Sequence, residues 1–294
     1  MMFRLFYILV WLLALIPLRL LYCLSDLLFI PVYLSGYRKE VVRRNLRNAF
    51  PEKRVKELRK IERRFYRYFC DLLMEDLKLI HLSEKQIKKR IVFKNKDAAI
   101  EQYQLGKSVM LYTSHYGNWE WNAAFSLHLP KERPVYQVYK SLKNRHFDKF
   151  MYGIRRKFGA ENVEKKDLMR KMISLRKEGR LGMFGMISDQ SPSANHIRYW
   201  TKFLNQYTPF LDGTEQLARK FDYPVFYVRL VRKRRGYYEC QIEPIELKPA
   251  ETTQFEITEK YARLLEQDIR NAPQYWLWSH RRWKYAGLYE QIHQ

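Results

Sequence analysis

A chain of 294 residues with 47% hydrophobic side chains can bury a substantial core, which excludes a disordered chain and makes one large domain with a small appendage the default. A formal charge of +24 points it toward anionic surfaces or partners, with nucleic acid, anionic lipid and an acidic carrier protein as the candidates. The three cysteines, Cys23, Cys70 and Cys240, are odd in number and widely spaced, which argues against a disulfide framework or zinc site and for a reducing compartment.

From Leu5 to Leu18 the chain carries no charge, and it stays apolar to about Leu34 apart from Arg19, Asp26 and a few small polar residues. The uncharged core is short for roughly 30 Å of hydrocarbon, but Arg4 and Arg19 at its ends can snorkel outward, so crossing the bilayer and lying in its interface are both open. Aromatic residues, at 16% of the chain, fit such an interface. On a continuing helix Arg19 and Asp26 share one face and can pair there, while Pro17 and Pro31 permit a kink or a hairpin-like reversal. A cleaved signal peptide is disfavoured because no small-x-small site follows the apolar run. Arg38, Lys39, Arg43, Arg44 and Arg47 come next, against Arg4 alone before the segment, and the positive-inside rule then puts the bulk of the chain in the cytoplasm. Residues 1–36 therefore read as a membrane anchor.

Residues 37–90 read as a helical layer split at Pro51, with Leu58, Ile61, Phe65 and Phe69 at helical spacing in its second helix. Residues 91–294 alternate between strands and helices. The strands predicted are IVF at Ile91, SVMLYT at Ser108, VYQVY at Val135, LGMFGMI at Leu181, VFYVRLV at Val225 and YYECQIE at Tyr237. Alternation of this kind predicts an α/β fold, and the short RKRRG connection between the last two strands predicts a hairpin and hence a mixed sheet flanked by helices.

Directly after the strand at Ser108 stands SHYGNWE. His115 and Glu120 are five positions apart, which on one continuous helix would splay them by roughly 140°. They can meet only if His115 lies on a loop and Glu120 on the first helical turn, and Gly117 and Asn118 supply the turn and the N-cap for that arrangement. The carboxyl end of a strand is where open α/β sheets place their sites, and a histidine oriented by a carboxylate is a competent general base. Taken alone, such a pair is more often a structural histidine. A metal set would need His128 as a third ligand, away from zincin spacing, and no cysteine is near in sequence for a covalent route.

SHYGNWE resembles the HxxxxD/E motif of the lysophospholipid and glycerolphosphate acyltransferases, in the glutamate-bearing form of the late lipid A acyltransferases that transfer lauroyl and myristoyl groups. NLRNAFPE at Asn45–Glu52, SDQSP at Ser188 with the WTKFLNQYTPFLDGTEQLARKFDYPVF run, and PQYWLWSHRRWKY near the C-terminus are similar to further blocks of that family, so the resemblance covers nearly the whole chain. NRHFDKFMYGIRRKFG follows the family's Asn-Pro, Arg and Gly block only loosely, which leaves Arg155 and Arg156 as alternatives for its arginine, and SPSANHIRYW departs from the family's glycine pattern after the acidic loop.

The resemblance implies a glycerolphosphate acyltransferase-like fold with an N-terminal anchoring helix, at the inner membrane with its catalytic domain facing the cytoplasm. It implies that His115 takes the proton of a lipid hydroxyl while Glu120 holds the imidazole, that an acyl carrier protein is the donor, and that a lipid A precursor is the acceptor. No cofactor and no metal are required, and no nucleic-acid partner. Asn144, Arg155, Arg156, Asp189, Arg281 and Arg282 are candidates for binding substrate, the arginines because a guanidinium fork suits phosphate. The aromatic setting of Arg281 and Arg282 fits a structural or interfacial role as well. The same chemistry on another acceptor, such as a phosphatidylinositol mannoside, an aminolipid or a lysophospholipid, is the runner-up. A membrane-tethered basic binding protein is the reading from another class.

Overall fold

Pro17 has no backbone N–H to continue a helix, and it divides the apolar N-terminal run into α1 (Met2–Leu15) and α2 (Leu18–Leu34). The computed structural model of the chain describes residues 2–130, 134–142 and 144–292; the side chain of Arg4 lies outside what is described. Among the described residues no single helix is long and apolar enough to cross a membrane, and α2 passes that test only jointly with α3 (Lys39–Ala49), from which it is bent by 88°. One face of α2, with Leu18, Leu21, Tyr22, Ser25 and Phe29, is buried against α4 (Val55–Lys78). The opposite face leaves Leu20, Leu24, Leu27, Ile30 and Leu34 exposed.

The helical layer breaks at Pro51 as its sequence predicts, α3 ending at Ala49 and α4 opening where Glu57 accepts from the backbone of Arg54 at 2.9 Å. Arg19 and Asp26 do not pair. Their shared helix turns Tyr22 and Ser25 toward α4, which lays Asp26 beside the tip of a hairpin, and Arg235 there binds its carboxylate through Nη1 and Nη2, each at 2.9 Å.

Beyond α4 the chain runs through α5 (Glu84–Arg90), capped by Ser83 and Gln86, into β1 (Ile91–Lys94), α6 (Asp97–Gln104) and β2 (Val109–Thr113). A 3₁₀ helix, Trp119–His128, leads to β3 (Val135–Tyr139), α7 (Arg145–Arg156), β4 (Glu161–Glu164), α8 (Leu168–Lys177) and β5 (Met183–Ile187). A separate hairpin of β6 (Trp200–Phe203) and β7 (Gln206–Pro209) precedes α9 (Gly213–Phe221), then β8 (Val225–Arg234), β9 (Tyr237–Glu246), α10 (Glu256–Asn271) and α11 (Ala286–Ile292).

Seven strands form one sheet in the order β1-β9-β8-β2-β5-β3-β4. Every neighbouring pair is parallel except β8 with β9, so the expected mixed α/β sheet is what the chain forms. All six predicted strands are present; the four-residue strands β4, β6 and β7 are additions. The β8–β9 connection narrows to Arg235 and Gly236, the latter at φ +71°, and a Cβ on Gly236 would collide with the Tyr22 hydroxyl of α2.

Candidate active site

β2 and β5 lie side by side near the middle of the sheet, parallel, with Thr113 opposite Ile187 at their carboxyl ends. The ladder runs one step further, Ser188 donating its N–H to the Thr113 carbonyl at 3.2 Å. His115 and Asp189 therefore leave the sheet level with each other, and the His115 Nδ1 meets Asp189 Oδ1 at 2.7 Å while the His115 backbone N–H donates to Oδ2 at 3.1 Å. A carboxylate only accepts, so the proton sits on Nδ1 and the lone pair is left on Nε2. Nε2 faces the side-chain amide of Gln190 at 3.3 Å.

Asp189 is buried, and its Oδ2 also accepts from the indole N–H of Trp276 at 2.8 Å. Burial alone would push its carboxyl up; the imidazole beside it, with hydrogen bonds from His115 and Trp276, outweighs that and holds the group below its ordinary range.

The expected orientation of His115 by Glu120 is thus corrected: the carboxylate on the imidazole is Asp189. Glu120 does stand on the first helical turn, as its spacing predicts, with Gly117 at φ +66° making the turn and the Asn118 side chain accepting from the Trp121 N–H at 3.3 Å. But its carboxylate is gripped by Arg155 of α7, through Nε at 2.8 Å and Nη2 at 2.6 Å. This buried, bidentate pair satisfies both oxygens of Glu120 and leaves the Nη1 edge of Arg155 outside the contact. Burial would lower the guanidinium's affinity for its proton, and the hydrogen-bonded charge of Glu120 reverses that and raises it.

A second buried network lies under the turn. Glu75 of α4 is sealed from solvent and accepts from the Tyr22 hydroxyl at 2.8 Å, the Asn118 amide at 2.8 Å and the Tyr238 hydroxyl at 2.7 Å. Glu75 so fixes which way the Asn118 amide faces, and through it the cap of the helix that carries Glu120.

The C-terminal block closes the site from the other side. Gly117 donates its N–H to the Tyr275 carbonyl at 3.0 Å, and Leu277 donates to the His115 carbonyl at 3.1 Å. Asn45, from the NLRNAFPE block, holds that segment in turn, donating to the carbonyls of Trp278 and His280 at 2.9 Å each. Arg282 is buried over the Phe210 ring, and its Nη1 reaches the Ser191 hydroxyl, which itself donates to the Arg282 carbonyl. Burial pushes Arg282 down to about 10, and burial with the nearby Arg282 charge pushes His280 down to about 4.

The remaining predicted residues divide. Asn144 is the N-cap of α7, accepting from the His146 and Phe147 N–H groups at 3.0 and 3.1 Å, and so serves the helix that delivers Arg155. Arg155 rather than Arg156 enters the site, since Arg156 is exposed and lies over the Tyr152 ring. Arg281 is exposed, next in the chain to the buried Arg282. Among the described residues no three His, Cys, Asp or Glu side chains converge as a metal set; His128 packs on Phe93 and Phe125. Cys70 and Cys240 are buried, their thiols pushed up by desolvation, and Cys23 is on the surface of α2. An apolar cavity of about 400 Å³ lies between α1, α2 and α4, lined by Leu13, Leu21, Leu24, Leu28, Met74 and Leu77 among others and by none of the residues of the dyad.

Sequence reasoning missed Trp276, Gln190 and Glu75. Gln190 follows Asp189 in the quoted SDQSP loop and was within reach; Trp276 lay inside the C-terminal block without a donor role, and Glu75 had no signal beyond a carboxylate in a helix that was read by its apolar face. The family model described as bacterial lipid A biosynthesis acyltransferase matches residues 1–285. No curated protein matches the chain.

Proposed function

The chain belongs to the bacterial lipid A biosynthesis acyltransferases, and from that premise we propose that it transfers a fatty acyl group from the thioester of an acyl carrier protein to a hydroxyl of a lipid A precursor, with His115 as general base and Asp189 as the residue that orients it. The observation that carries this is the 2.7 Å contact between His115 Nδ1 and Asp189 Oδ1, which leaves Nε2 as the basic nitrogen at the carboxyl edge of the sheet.

In this mechanism the acceptor O–H gives its proton to Nε2 and its oxygen attacks the thioester carbonyl. The tetrahedral intermediate collapses with rupture of the C–S bond, and the imidazolium returns the proton to the departing thiolate of the carrier. An ester and a free thiol result. Asp189 is anionic throughout and stabilises the imidazolium. Gln190, at 3.3 Å from Nε2, occupies the position that the acceptor hydroxyl takes on binding. The Arg155 guanidinium, held by Glu120, presents Nη1 to an anionic oxygen, either the developing oxyanion or a phosphate of the acceptor. The basic surface of a +24 chain suits an acidic carrier. The exposed leucines of α2 support attachment to a membrane surface, and the basic residues from Arg38 to Arg47 that follow them support the sheet lying on the cytoplasmic side.

The test is turnover of acyl carrier protein thioester and a tetra-acylated lipid A precursor by detergent-solubilised protein. His115→Ala and Asp189→Asn should each lower kcat by about 10²- to 10⁴-fold. Normal turnover by both would remove His115 as the base, and absence of turnover in wild type would leave a binding protein; loss in H115A with none in D189N would return the orienting role to another group.

A further inference from the structure

At the break between α1 and α2 the structure holds a cavity of about 370 Å³, lined by Leu15, Pro17, Leu18, Arg19, Lys78, Leu82, Gln86 and Arg90. The apolar half of its lining is leucine and proline, and three cations reach it from three different helices. None of His115, Glu120, Arg155 or Asp189 takes part.

The three cations are not neutralised by protein. Lys78 spends its ammonium on the carbonyls of Ala14, Leu15 and Ile16, at 2.8, 3.3 and 3.0 Å, which closes the end of α1 but leaves a full positive charge in a buried position. Arg90 donates to the Gly236 carbonyl at 3.2 Å and lies over the Tyr237 ring, again neutral partners. Arg19 is exposed, and the acid whose spacing lets it pair there, Asp26, is held by Arg235. The other acids of this region are likewise committed, Asp71 to Arg232 and Arg235 and Glu75 to Tyr22, Asn118 and Tyr238. Among the described residues Arg19, Lys78 and Arg90 form no ion pair. The Gln86 side-chain oxygen Oε1 accepts from the Ser83 N–H at 2.9 Å, which leaves its NH₂ outside that contact as a further donor. Holding three like charges around one apolar-walled space is unfavourable unless an anion joins them.

What kind of anion follows from where the cavity lies. Leu15 and Leu20, on either side of the break, are 49% and 56% exposed and continue the outward apolar faces of α1 and α2. A ligand here must bring negative charge to the arginines and an apolar stem to the leucines, at the level where these helices meet headgroups. We propose that this cavity binds the phosphate ester of a lipid, with Arg19 and Arg90 on the phosphate oxygens and Leu15, Leu18 and Leu82 along the first methylenes. The proposal rests on the membrane-surface reading above. The phosphate can come from a bilayer phospholipid or from the phosphorylated acceptor, and the two are separable.

The full chain is assayed by co-flotation with vesicles of phosphatidylcholine alone and of phosphatidylcholine containing phosphatidylglycerol. Arg19→Glu is the main variant, because Arg19 is exposed and makes no contact needed for folding; Arg176→Gln/Lys177→Gln, on the exposed end of α8, removes the same net charge elsewhere. Wild type should bind the phosphatidylglycerol vesicles more tightly, and R19E should lose at least about five-fold of that affinity, with binding to phosphatidylcholine and the double control unchanged. If vesicle binding is unaffected but R19E raises KM for a phosphorylated acceptor in uncharged detergent, and not for its dephosphorylated form, the phosphate is the acceptor's and the site stands. Equal losses in R19E and the control, or no change in R19E in either assay, overturns it. Absence of wild-type binding to both kinds of vesicle sinks membrane attachment alone, and the KM comparison then decides the cavity.

Discussion

Asp189 does two jobs with two oxygens: one takes the imidazole, the other takes the His115 backbone and the Trp276 indole. Its depressed carboxyl has a thermodynamic consequence. A carboxyl held lower in the folded than in the unfolded chain contributes stability that is fully present above the unfolded value and is lost as pH falls through the folded one. The melting temperature of wild type minus that of Asp189→Asn should therefore stay constant from neutral pH down to about pH 4, near the ordinary aspartate value, and shrink below it. A margin that instead grows below about pH 4 would contradict a carboxyl held low in the folded chain. Glu120 and Arg155 make a different prediction, because removing one member of a buried pair strands the other. Glu120→Ala should cost about 3 kcal/mol in denaturant unfolding. Glu120→Ala/Arg155→Met should recover most of that stability while leaving turnover low, which separates scaffold from chemistry.

At the scale of elements, the turn between β2 and the Trp119–His128 helix is where most constraints converge. Gly117 stands at φ +66°, and a Cβ there would come within 2.5 Å of Leu230 on β8. Gly117→Ala should lose about 2 kcal/mol or more from the left-handed backbone and the contact together, and should lower kcat more than the stability loss explains, since His115 is two residues away. Glu75→Gln keeps the side chain's length but supplies only one oxygen to the Tyr22, Asn118 and Tyr238 donors. It should reduce kcat several-fold with KM for the carrier unchanged, and Glu75→Ala should lower the melting temperature as well. Equal kcat in wild type and E75Q at full folding would show that the network serves α2 alone. The contrast between the two carboxylates explains how far this site could be read from residues alone. Glu120 was found because its link to His115 is local, five positions along one turn; its actual partner lies on α7, 35 residues on. Asp189 is 74 residues from His115, and only the in-register parallel pairing of β2 with β5 makes them neighbours.

For the molecule as a whole, hydrophobic period was informative and ion pairing was not. The six predicted strands and the break at Pro51 follow from apolar runs, alternation and proline chemistry, whereas β4 (ENVE), β6 (WTKF) and β7 (QYTP) are four residues each and broken by polar residues, without the apolar IVF run that marks the equally short β1. The β6–β7 hairpin turns at Leu204 and Asn205, both at positive φ, and no Gly marks it. The N-terminal helices are tied to the sheet by charge as much as by leucine: Arg232 and Arg235 of the β8–β9 hairpin reach Asp71 of α4, and Arg235 reaches Asp26 of α2. Arg235→Ala should thus weaken the hold of α2 on the sheet, seen as faster amide exchange in residues 18–34 with little change in β2 or β5. Uniform protection in both regions would mean that apolar packing alone carries the junction.

The dyad is finished by a tryptophan close to the end of the chain. Trp276 donates to Asp189, and its neighbours Tyr275 and Leu277 hydrogen-bond to either side of the His115 turn. Trp276 and Asp189 are 87 positions apart, so their contact closes a long loop and forms only once the segment at 275–277 has docked on the sheet. Local opening of residues 275–277 would therefore slacken the turn around His115 while the sheet stays folded, so order at this one seam and order in the strands can be lost separately.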